Sequence, residues 1–261
     1  MSDYISLADY AKHMKIQKGD IVFISSDATK MVWDAVSNGG KPDLNPFIDG
    51  LIEAVGPEGT VIFPTYNWDF CKGVTFNPKK TKCKTGALGV AALKRDDFIR
   101  TKHPIYSFAV HGKYADELAA MDNKDSFGLD SPFAFFKAHN VKNFIIDVSL
   151  AHCFTFVHFA EEHSGAVDYR YVKDFTAGYM DESGNESQKT YSMFVRDLDL
   201  DVETTIDPIE PDFLSAGAEE IIHINSSEMK LVHLGQCYDI LIDDIVNNRA
   251  RKLCTYKGQE D

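Results

Sequence analysis

The stretch Phe47-Ile-Asp-Gly-Leu-Ile-Glu-Ala-Val55-Gly56-Pro57-Glu58-Gly59-Thr60-Val-Ile-Phe63 decides the fold class. Its first part, 47–55, repeats apolar residues at the three- and four-residue spacing of an amphipathic helix. The glycines and the proline of 56–59 predict a turn that ends this helix, and the apolar run 60–63 is typical of a buried strand. A helix, a turn and a buried strand in immediate succession predict a layered α/β domain.

Flanking segments continue this alternation of helices and strands. Residues 21–24 and 143–148 predict further buried strands, and residues 154–163 predict a helix. Residues 167–191 alternate polar and apolar side chains around Asp181-Glu-Ser-Gly-Asn185, which is the signature of a hairpin. Because the chain shows no internal repeat and no linker, we expect a single domain over residues 1–261.

Composition excludes several classes of protein. The net charge of -13 provides no positive footprint for nucleic acid as a whole, although it does not describe any local pocket. No segment approaches the roughly 18 apolar residues of a membrane span, and the N-terminus lacks the regions of a signal peptide. The five cysteines include no C-x-x-C pair, which argues against disulfides and zinc. We therefore expect a cytoplasmic protein that binds neither a membrane nor a metal.

The segment His158-Phe-Ala-Glu161-Glu162 combines an imidazole with two carboxylates. On a helix, both glutamates can share a face with His158. A carboxylate beside an imidazole fixes its tautomer and raises its basicity, so the pair could accept a proton from an attacking amine. The alternative is a buried histidine that bonds a backbone carbonyl, with exposed glutamates nearby.

A second segment, Arg100-Thr-Lys102-His103-Pro-Ile-Tyr-Ser107, places cations and a hydroxyl beside an apolar run. Cations and hydroxyls bind phosphate, and a strand supports them rigidly. Ser25 and Ser26 follow a predicted buried strand at its carboxyl end, where ligands of open α/β sheets often bind. The alternatives are a turn fixed by Pro104, with Ser107 bonded inside a strand, and two serines that cap the next helix.

These motifs, in this order, resemble the antibiotic N-acetyltransferase family, best known for the aminoglycoside 3-N-acetyltransferases. The matching segments are 19–26, 55–65, 100–112 and 156–162. The resemblance implies an α/β/α architecture around a central mixed sheet, and a homo-oligomer such as a dimer. It also implies acyl-coenzyme A as co-substrate, with His158 as catalytic base beside Glu161. Ile24 departs from the family, which has a histidine before the two serines. The residues expected by resemblance to line the coenzyme A site are Ser25, Ser26, Thr65, Lys102, His103 and Ser107.

The segment 66–84, a long connection after the predicted strand 60–63, bears on which amine accepts the acyl group. We call this segment the excursion. It supplies aromatic side chains at Tyr66 and Trp68, followed by the basic cluster Lys79, Lys80, Lys82 and Lys84. Aromatic rings stack on bases and lysines bind phosphates, so we expect Tyr66, Trp68, Lys80 and Lys82, together with Glu162, to bind substrate. The alternative for the lysines is a solvated loop.

We therefore expect direct acyl transfer to the amine of a nucleotide-linked deoxy amino sugar, of the kind used in surface glycans. Ser107 or a backbone N–H would bind the oxyanion. The alternatives are an aminoglycoside acceptor and, from another class, a carbohydrate-binding protein without activity. A transfer through Cys153, and a triad completed by Glu210 or Asp212, also remain open.

Overall fold

The computed structural model describes residues 4–257, in which eleven strands fall into three sheets. Seven of them build the central sheet, and two smaller sheets contain two strands each. In chain order the strands are β1 (Ile21–Ser26), β2 (Thr60–Pro64), β3 (Ile99–Arg100), β4 (Phe108–Gly112), β5 (Lys142–Ile146), β6 (Arg170–Met180), β7 (Glu186–Arg196), β8 (Val202–Thr204), β9 (Glu219–Ile224), β10 (Ser227–His233) and β11 (Cys254–Tyr256).

The central sheet has the strand order β3-β4-β2-β1-β5-β10-β9. Strand β1 pairs in parallel with β2 and β5, whereas β4 and β10 join the sheet antiparallel. The predicted central mixed sheet is therefore confirmed. The carboxyl ends of β1, β2 and β5 lie at one end of the parallel strands. The segments that follow β2 and β5 contribute residues to the cavities described below.

Helices cover both faces of the sheet, which confirms the α/β/α layers. One apolar core packs α1, α2 and α3 against the sheet, and a second packs the hairpin β6–β7 and the remaining helices against the other face. None of the helices in residues 4–257 is both long and apolar enough to cross a membrane. The helices are α1 (Thr29–Ser37), α2 (Asn45–Val55), α3 (Ala87–Ala92), α4 (Ala115–Ala120), α5 (Pro132–Ala138), α6 (Leu150–Cys153), α7 (Val157–Ser164), α8 (Glu210–Ser215) and α9 (Leu234–Asn247).

The hairpin forms as predicted, with its turn at 181–185, but β7 continues to Arg196. The predicted helix 154–163 is wrong at its start. Helix α6 ends at Cys153, and the next helix, α7, begins only at Val157. The strands β9 and β10 do not appear in the sequence prediction. Strand β9 reads Glu-Glu-Ile-Ile-His-Ile and so lacks regular alternation, and it lies at an edge of the sheet, with Glu219 buried and Ile221 44% exposed.

Candidate functional site

Helix α7 places His158 and Glu161 against each other. The two residues are three positions apart, so both project from the same side of the helix. The imidazole Nδ1 lies 2.6 Å from Glu161 Oε2, and the Glu161 side chain is only 2% exposed. Since the carboxylate accepts the Nδ1 proton, the neutral ring keeps its lone pair on Nε2. The His158 side chain is 23% exposed, and His158 lines a cavity.

The start of strand β6 fixes Glu161 from the other side. Tyr169 donates its hydroxyl hydrogen to Oε1 over 2.8 Å. The guanidinium Nε of Arg170 lies 2.9 Å from Oε2, the same oxygen that accepts from His158. Both oxygens of the buried carboxylate are thus engaged by two elements, which holds the imidazole in one orientation.

Burial and charge set the ionisation of this group. Burial lowers the pKa of His158, and the Arg170 cation lowers it further, against the opposing effect of Glu161. Burial alone would raise the pKa of Glu161, but the contacts with His158 and Arg170 outweigh it and hold that pKa below its ordinary value. The arrangement therefore favours a carboxylate beside a neutral imidazole near pH 7, which is the state that can accept a proton.

The cavity in front of His158 has a volume of about 220 Å³. We call it the His158 cavity. Aromatic, hydroxyl and aliphatic side chains form most of its wall, and Glu161 is the one carboxylate that lines it among the described residues. Its lining comprises Trp68, Tyr106, Leu150, Ala151, His152, Cys153, Phe154, Thr155, Val157, His158, Glu161, Arg170, Thr204, Thr205, Ile206 and Leu253.

Of the two aromatic residues expected to bind substrate, only Trp68 lines the His158 cavity. Its ring is 38% exposed and meets Tyr106 edge to face, with the ring centres 6.3 Å apart. Tyr66 lies behind them, 3% exposed, with its ring centre 4.9 Å from that of Tyr106. The Tyr66 hydroxyl has no hydrogen-bond partner of ordinary geometry within residues 4–257.

Ser107 and Thr65, by contrast, are fully buried at the edge of the sheet. Their hydroxyl oxygens lie 2.9 Å apart, and the Ser107 hydroxyl accepts from Arg100 Nε over 3.0 Å. Neither residue lines the His158 cavity. The expectation that Ser107 binds the oxyanion is therefore not supported by this geometry, because its hydroxyl is engaged within the protein.

His103, Ser25 and Ser26 also differ from their expected positions. The His103 ring is 2% exposed, its Nδ1 accepts from the backbone N–H groups of Ile105 and Tyr106, and burial lowers its pKa to about 3. Ser25 is buried and donates to Asn143 Oδ1 over 3.4 Å. Ser26 was expected to follow a strand over 21–24, but it is the last residue of β1 and lines neither of the two cavities described here. His103 and Ser25 thus bond within the fold.

A larger groove of about 980 Å³ contains the predicted basic residues. We call it the lysine groove. It joins Lys80 and Lys82 of the excursion to Lys102. Lys84 is not part of it, since its ammonium pairs with Asp69 at 2.6 Å. Trp68 lines the His158 cavity, whereas Lys80 and Lys82 line the lysine groove, so the aromatic and basic groups of residues 66–84 do not lie in one cavity. The groove is lined by Pro78, Lys79, Lys80, Thr81, Lys82, Cys83, Val90, Leu93, Lys94, Phe98, Ile99, Arg100, Lys102, Asp122, Tyr179, Asp181, Glu182, Ser183 and Lys189.

Glu162 points away from the His158 cavity, although it directly follows Glu161. Burial raises its pKa to about 8, and a hydrogen bond to the neighbouring carboxyl of Asp125 raises it as well. Glu162 does not line either cavity, so the structure gives no support to its expected role in binding substrate. Its carboxyl instead lies near that of Asp125.

The two proposed triad carboxylates do not reach His158. Glu210 pairs with Lys230, and Asp212 pairs with Lys252. The carboxylate that does contact His158 is Glu161, from the same helix. Within residues 4–257, no group of three His, Cys, Asp or Glu side chains is arranged to hold a metal ion.

The sequence analysis missed Arg170 and Tyr106, which line the cavity, and Tyr169 behind it. Only four residues, 165–168, separate the end of α7 from Tyr169 and Arg170. A connection this short brings the start of β6 back against α7. Its length is the feature of the sequence that indicates this contact. Tyr106 sits beside Ser107 in the segment already singled out, just before β4, but only Tyr106 lines the cavity.

Comparisons with known proteins agree with this architecture. The structure superposes on the aminoglycoside acetyltransferase AAC(3)-Xa with a TM-score of 0.74 at 20% identity, covering 92% of this chain and 90% of that one. It matches AAC-VIa bound to sisomicin with a TM-score of 0.74 at 20% identity, covering 94% and 99% of the two chains. AAC-IIIb in binary complex with CoASH gives 0.74 at 17% identity over 99% and 100%. These likenesses show the fold.

The sequence itself was also compared with families and with curated proteins. A comparison with curated protein sequences finds no significant match. The family profile described as Aminoglycoside 3-N-acetyltransferase matches residues 33–244, which is most of the chain. The resemblance seen in the motifs is thereby confirmed: the chain belongs to the aminoglycoside 3-N-acetyltransferase family and is a coenzyme A-dependent acetyltransferase.

Proposed function

We propose that His158 is the general base of this acetyltransferase and that its acceptor is the amine of a nucleotide-linked deoxy amino sugar. The observation that carries the first part is the buried Glu161 carboxylate on Nδ1 of an imidazole that opens on a cavity. A sugar ammonium must lose a proton before it can attack a thioester. A neutral His158 can take that proton at Nε2.

The proposed reaction proceeds by direct transfer. The deprotonated amine adds to the thioester carbonyl, and the tetrahedral intermediate then expels the coenzyme A thiolate, which takes up the proton that the attacking nitrogen loses. The products are an N-acyl sugar and free thiol. Arg170 and Tyr169 hold the Glu161 carboxylate throughout, so that the imidazolium formed in the transition state keeps its counter-charge.

Cys153 lines the same cavity but is poorly suited to carry the acyl group. Its Sγ donates to the Ser149 carbonyl over 3.3 Å, and burial raises the pKa of the thiol to about 12. A thiol so rarely ionised is a weak nucleophile. We expect Cys153→Ala to keep the wild-type kcat, measured as thiol release from acetyl-coenzyme A. Loss of nearly all turnover in that variant would instead favour a covalent acyl-enzyme.

The lining of the His158 cavity supports an acceptor of low positive charge. Glu161 is its one carboxylate within the described residues, and that carboxylate is already paired with His158 and Arg170. A polycation that enters such a site would meet a guanidinium and no free anion. The lysine groove adds cations suited to the phosphates of a nucleotide-linked sugar.

A second candidate acceptor is an aminoglycoside. The acidic segment Asp197, Asp199, Asp201 and Glu203 leads directly into Thr204 and Thr205, which line the cavity. Carboxylates at this rim would attract a polycation. The relatives crystallised with sisomicin and apramycin also favour this acceptor.

The acceptor can be decided by thiol release with two matched panels. One contains kanamycin-type aminoglycosides and the other contains dTDP-linked 3-amino and 4-amino deoxy sugars, each with acetyl-coenzyme A and identification of the N-acyl product by mass spectrometry. Turnover of the nucleotide sugars supports the proposal. Turnover restricted to the aminoglycosides would replace it with the second candidate.

Arg170 provides a test of how the base is tuned. Since the Arg170 cation lowers the pKa of His158, Arg170→Gln should raise it. His158 must be neutral to act as a base, so its pKa sets the acid limb of the kcat/KM profile. In the wild type this limb should lie below the ordinary histidine pKa of 6.5, and in the variant it should move to higher pH. The measurement is kcat/KM between pH 5 and 8.

Arg196 supplies the matched control. It lies opposite Arg170 in the hairpin register but is exposed. Arg196→Gln should leave the acid limb at its wild-type pH. Arg170→Lys keeps a cation beside His158 and should return the acid limb most of the way to that pH. If Arg170→Gln only lowers the rate at every pH, Arg170 does not tune His158.

A further inference from the structure

Aromatic rings form a continuous row between Trp68 and the proposed base. Their exposure falls from 38% at Trp68 to 7% at Tyr106 and 0% at Phe127. The ring centre of Phe127 lies 5.2 Å from that of Tyr106 and 5.6 Å from that of His158. Tyr106 and His158 thus pack against the same ring, and both line the His158 cavity. Tyr106 therefore bounds the cavity close to His158.

The backbone on both sides of Tyr106 is tied to the segment that follows β2. The N–H groups of Thr65 and Asn67 donate to the carbonyls of Ser107 and Ile105 over 2.9 and 3.0 Å. These bonds hold the segments 65–67 and 105–107 side by side. A shift of Tyr106 would break them and leave buried polar groups without partners.

The Tyr106 side chain is enclosed as well. The ring centres of Tyr66 and Phe133 lie 4.9 and 6.1 Å from its own, and both rings meet it edge to face. Its hydroxyl donates to Met193 Sδ over 3.4 Å. Close-packed interiors make room for an added methylene only at a cost in free energy. The ring therefore presents a fixed surface to the cavity.

The acyl group has to enter the same part of the cavity. Proton transfer brings the reacting amine within about 2.6–3.2 Å of His158. Attack on the thioester brings the same amine within about 3–3.5 Å of the acyl carbonyl. The carbonyl and the chain attached to it therefore lie beside His158, in the space that Tyr106 bounds.

The cavity offers little other room for an acyl chain. Its volume of about 220 Å³ is below the roughly 300 Å³ at which pockets for drug-sized ligands begin. The large aliphatic and phenylalanine side chains of its lining are between 1% and 8% exposed, so they belong to the core and leave no apolar channel. An acetyl group can lie beside the amine in this space, whereas a longer chain meets the Tyr106 ring. The buried side chains are Leu150, Phe154, Val157, Ile206 and Leu253.

We infer that Tyr106 determines the length of the acyl group, because its ring leaves room for acetyl and excludes longer chains. The inference rests on the proposed function only for direct transfer at His158, and it applies to either candidate acceptor. Tyr106 is thereby a specificity-determining residue of the acetyl transfer, next to the base and its carboxylate.

The test compares acetyl- and butyryl-coenzyme A as donors for one acceptor that supports turnover, with thiol release as the readout. In the wild type, kcat/KM should be at least about tenfold lower for butyryl-coenzyme A, as expected when methylenes are forced into a packed site. Tyr106→Ala removes the ring, so the difference between the donors should fall below about threefold.

Further variants separate room in the cavity from a loss of stability. Tyr106→Phe keeps the ring and should keep the wild-type ratio of kcat/KM for the two donors. Tyr106→Leu keeps an apolar side chain but shortens it, so it should lower the ratio even if Tyr106→Ala does not fold. Tyr10→Leu is the matched control, since Tyr10 is also buried but lies in the other apolar core. This control should keep the ratio, because a variant that is only destabilised loses activity with both donors alike.

The inference is wrong if the wild type uses the two donors about equally, or if folded Tyr106→Leu keeps the wild-type ratio. Both results are independent of the proposed function. Loss of activity in His158→Ala concerns the base alone. Turnover restricted to aminoglycosides concerns the acceptor alone, because the ratio is measured with one acceptor throughout.

Discussion

Replacing His158 with Ala is expected to lower kcat/KM for acetyl transfer by about 10²- to 10⁴-fold, the contribution typical of a general base. The reason is that the variant lacks the Nε2 lone pair that takes the proton of the acceptor ammonium. Thiol release from acetyl-coenzyme A, with the acceptor found in the panels above, measures the effect.

His152 is the matched control for this variant. It lines the same cavity, but its Nδ1 contacts the Ser149 hydroxyl at 2.7 Å rather than a carboxylate. His152→Ala should stay within a few-fold of the wild type. Equal losses in the two histidine variants would mean that the cavity needs the bulk of both rings and that neither acts as the base.

Replacing Glu161 with Ala is expected to lower the free energy of unfolding by about 3–5 kcal/mol, because it leaves a buried cation without its partner. Arg170, whose side chain is 10% exposed, would lose its carboxylate, and the Tyr169 hydroxyl would lose its acceptor. Urea unfolding at pH 7 measures the change. Activity should also fall, since the His158 tautomer is no longer fixed.

The neighbouring residue gives a sharp comparison. Burial raises the pKa of Glu162 to about 8, so its carboxyl is largely protonated at pH 7 and a glutamine can replace it with little change. Glu162→Gln should therefore unfold close to the wild-type urea concentration. If Glu161→Ala is no less stable than Glu162→Gln, the buried contacts around Glu161 do not stabilise the fold as described.

Local sequence patterns predicted helix α7 and the contact between His158 and Glu161, which are only three positions apart. The spacing within α7 brings His158 and Glu161 together whatever surrounds the helix. The hairpin followed in the same way from alternation and a turn sequence. Burial could not be predicted in this way. Ser107 and His103 carry groups that suit a ligand, yet contacts with distant segments enclose both of them.

Long-range pairing explains what the sequence could not show at the lysine groove. Arg100 binds the carbonyls of Thr65 and Thr81, and such contacts between distant segments bring Lys80 and Lys82 beside Lys102. Tertiary packing likewise turns Trp68 toward His158 instead of toward the lysines. A cluster of lysines in a sequence predicts a basic surface, but the fold determines which cavity those lysines line.

A crystal structure of the chain with coenzyme A and the acceptor that supports turnover would show whether His158 is placed to act as the base. We predict that the reacting amine lies about 2.6–3.2 Å from His158 Nε2, the range required for proton transfer. We also predict that the coenzyme A sulfur lies on the same side of the cavity. An amine bound away from His158, with another side chain within reach of its proton, would contradict the account.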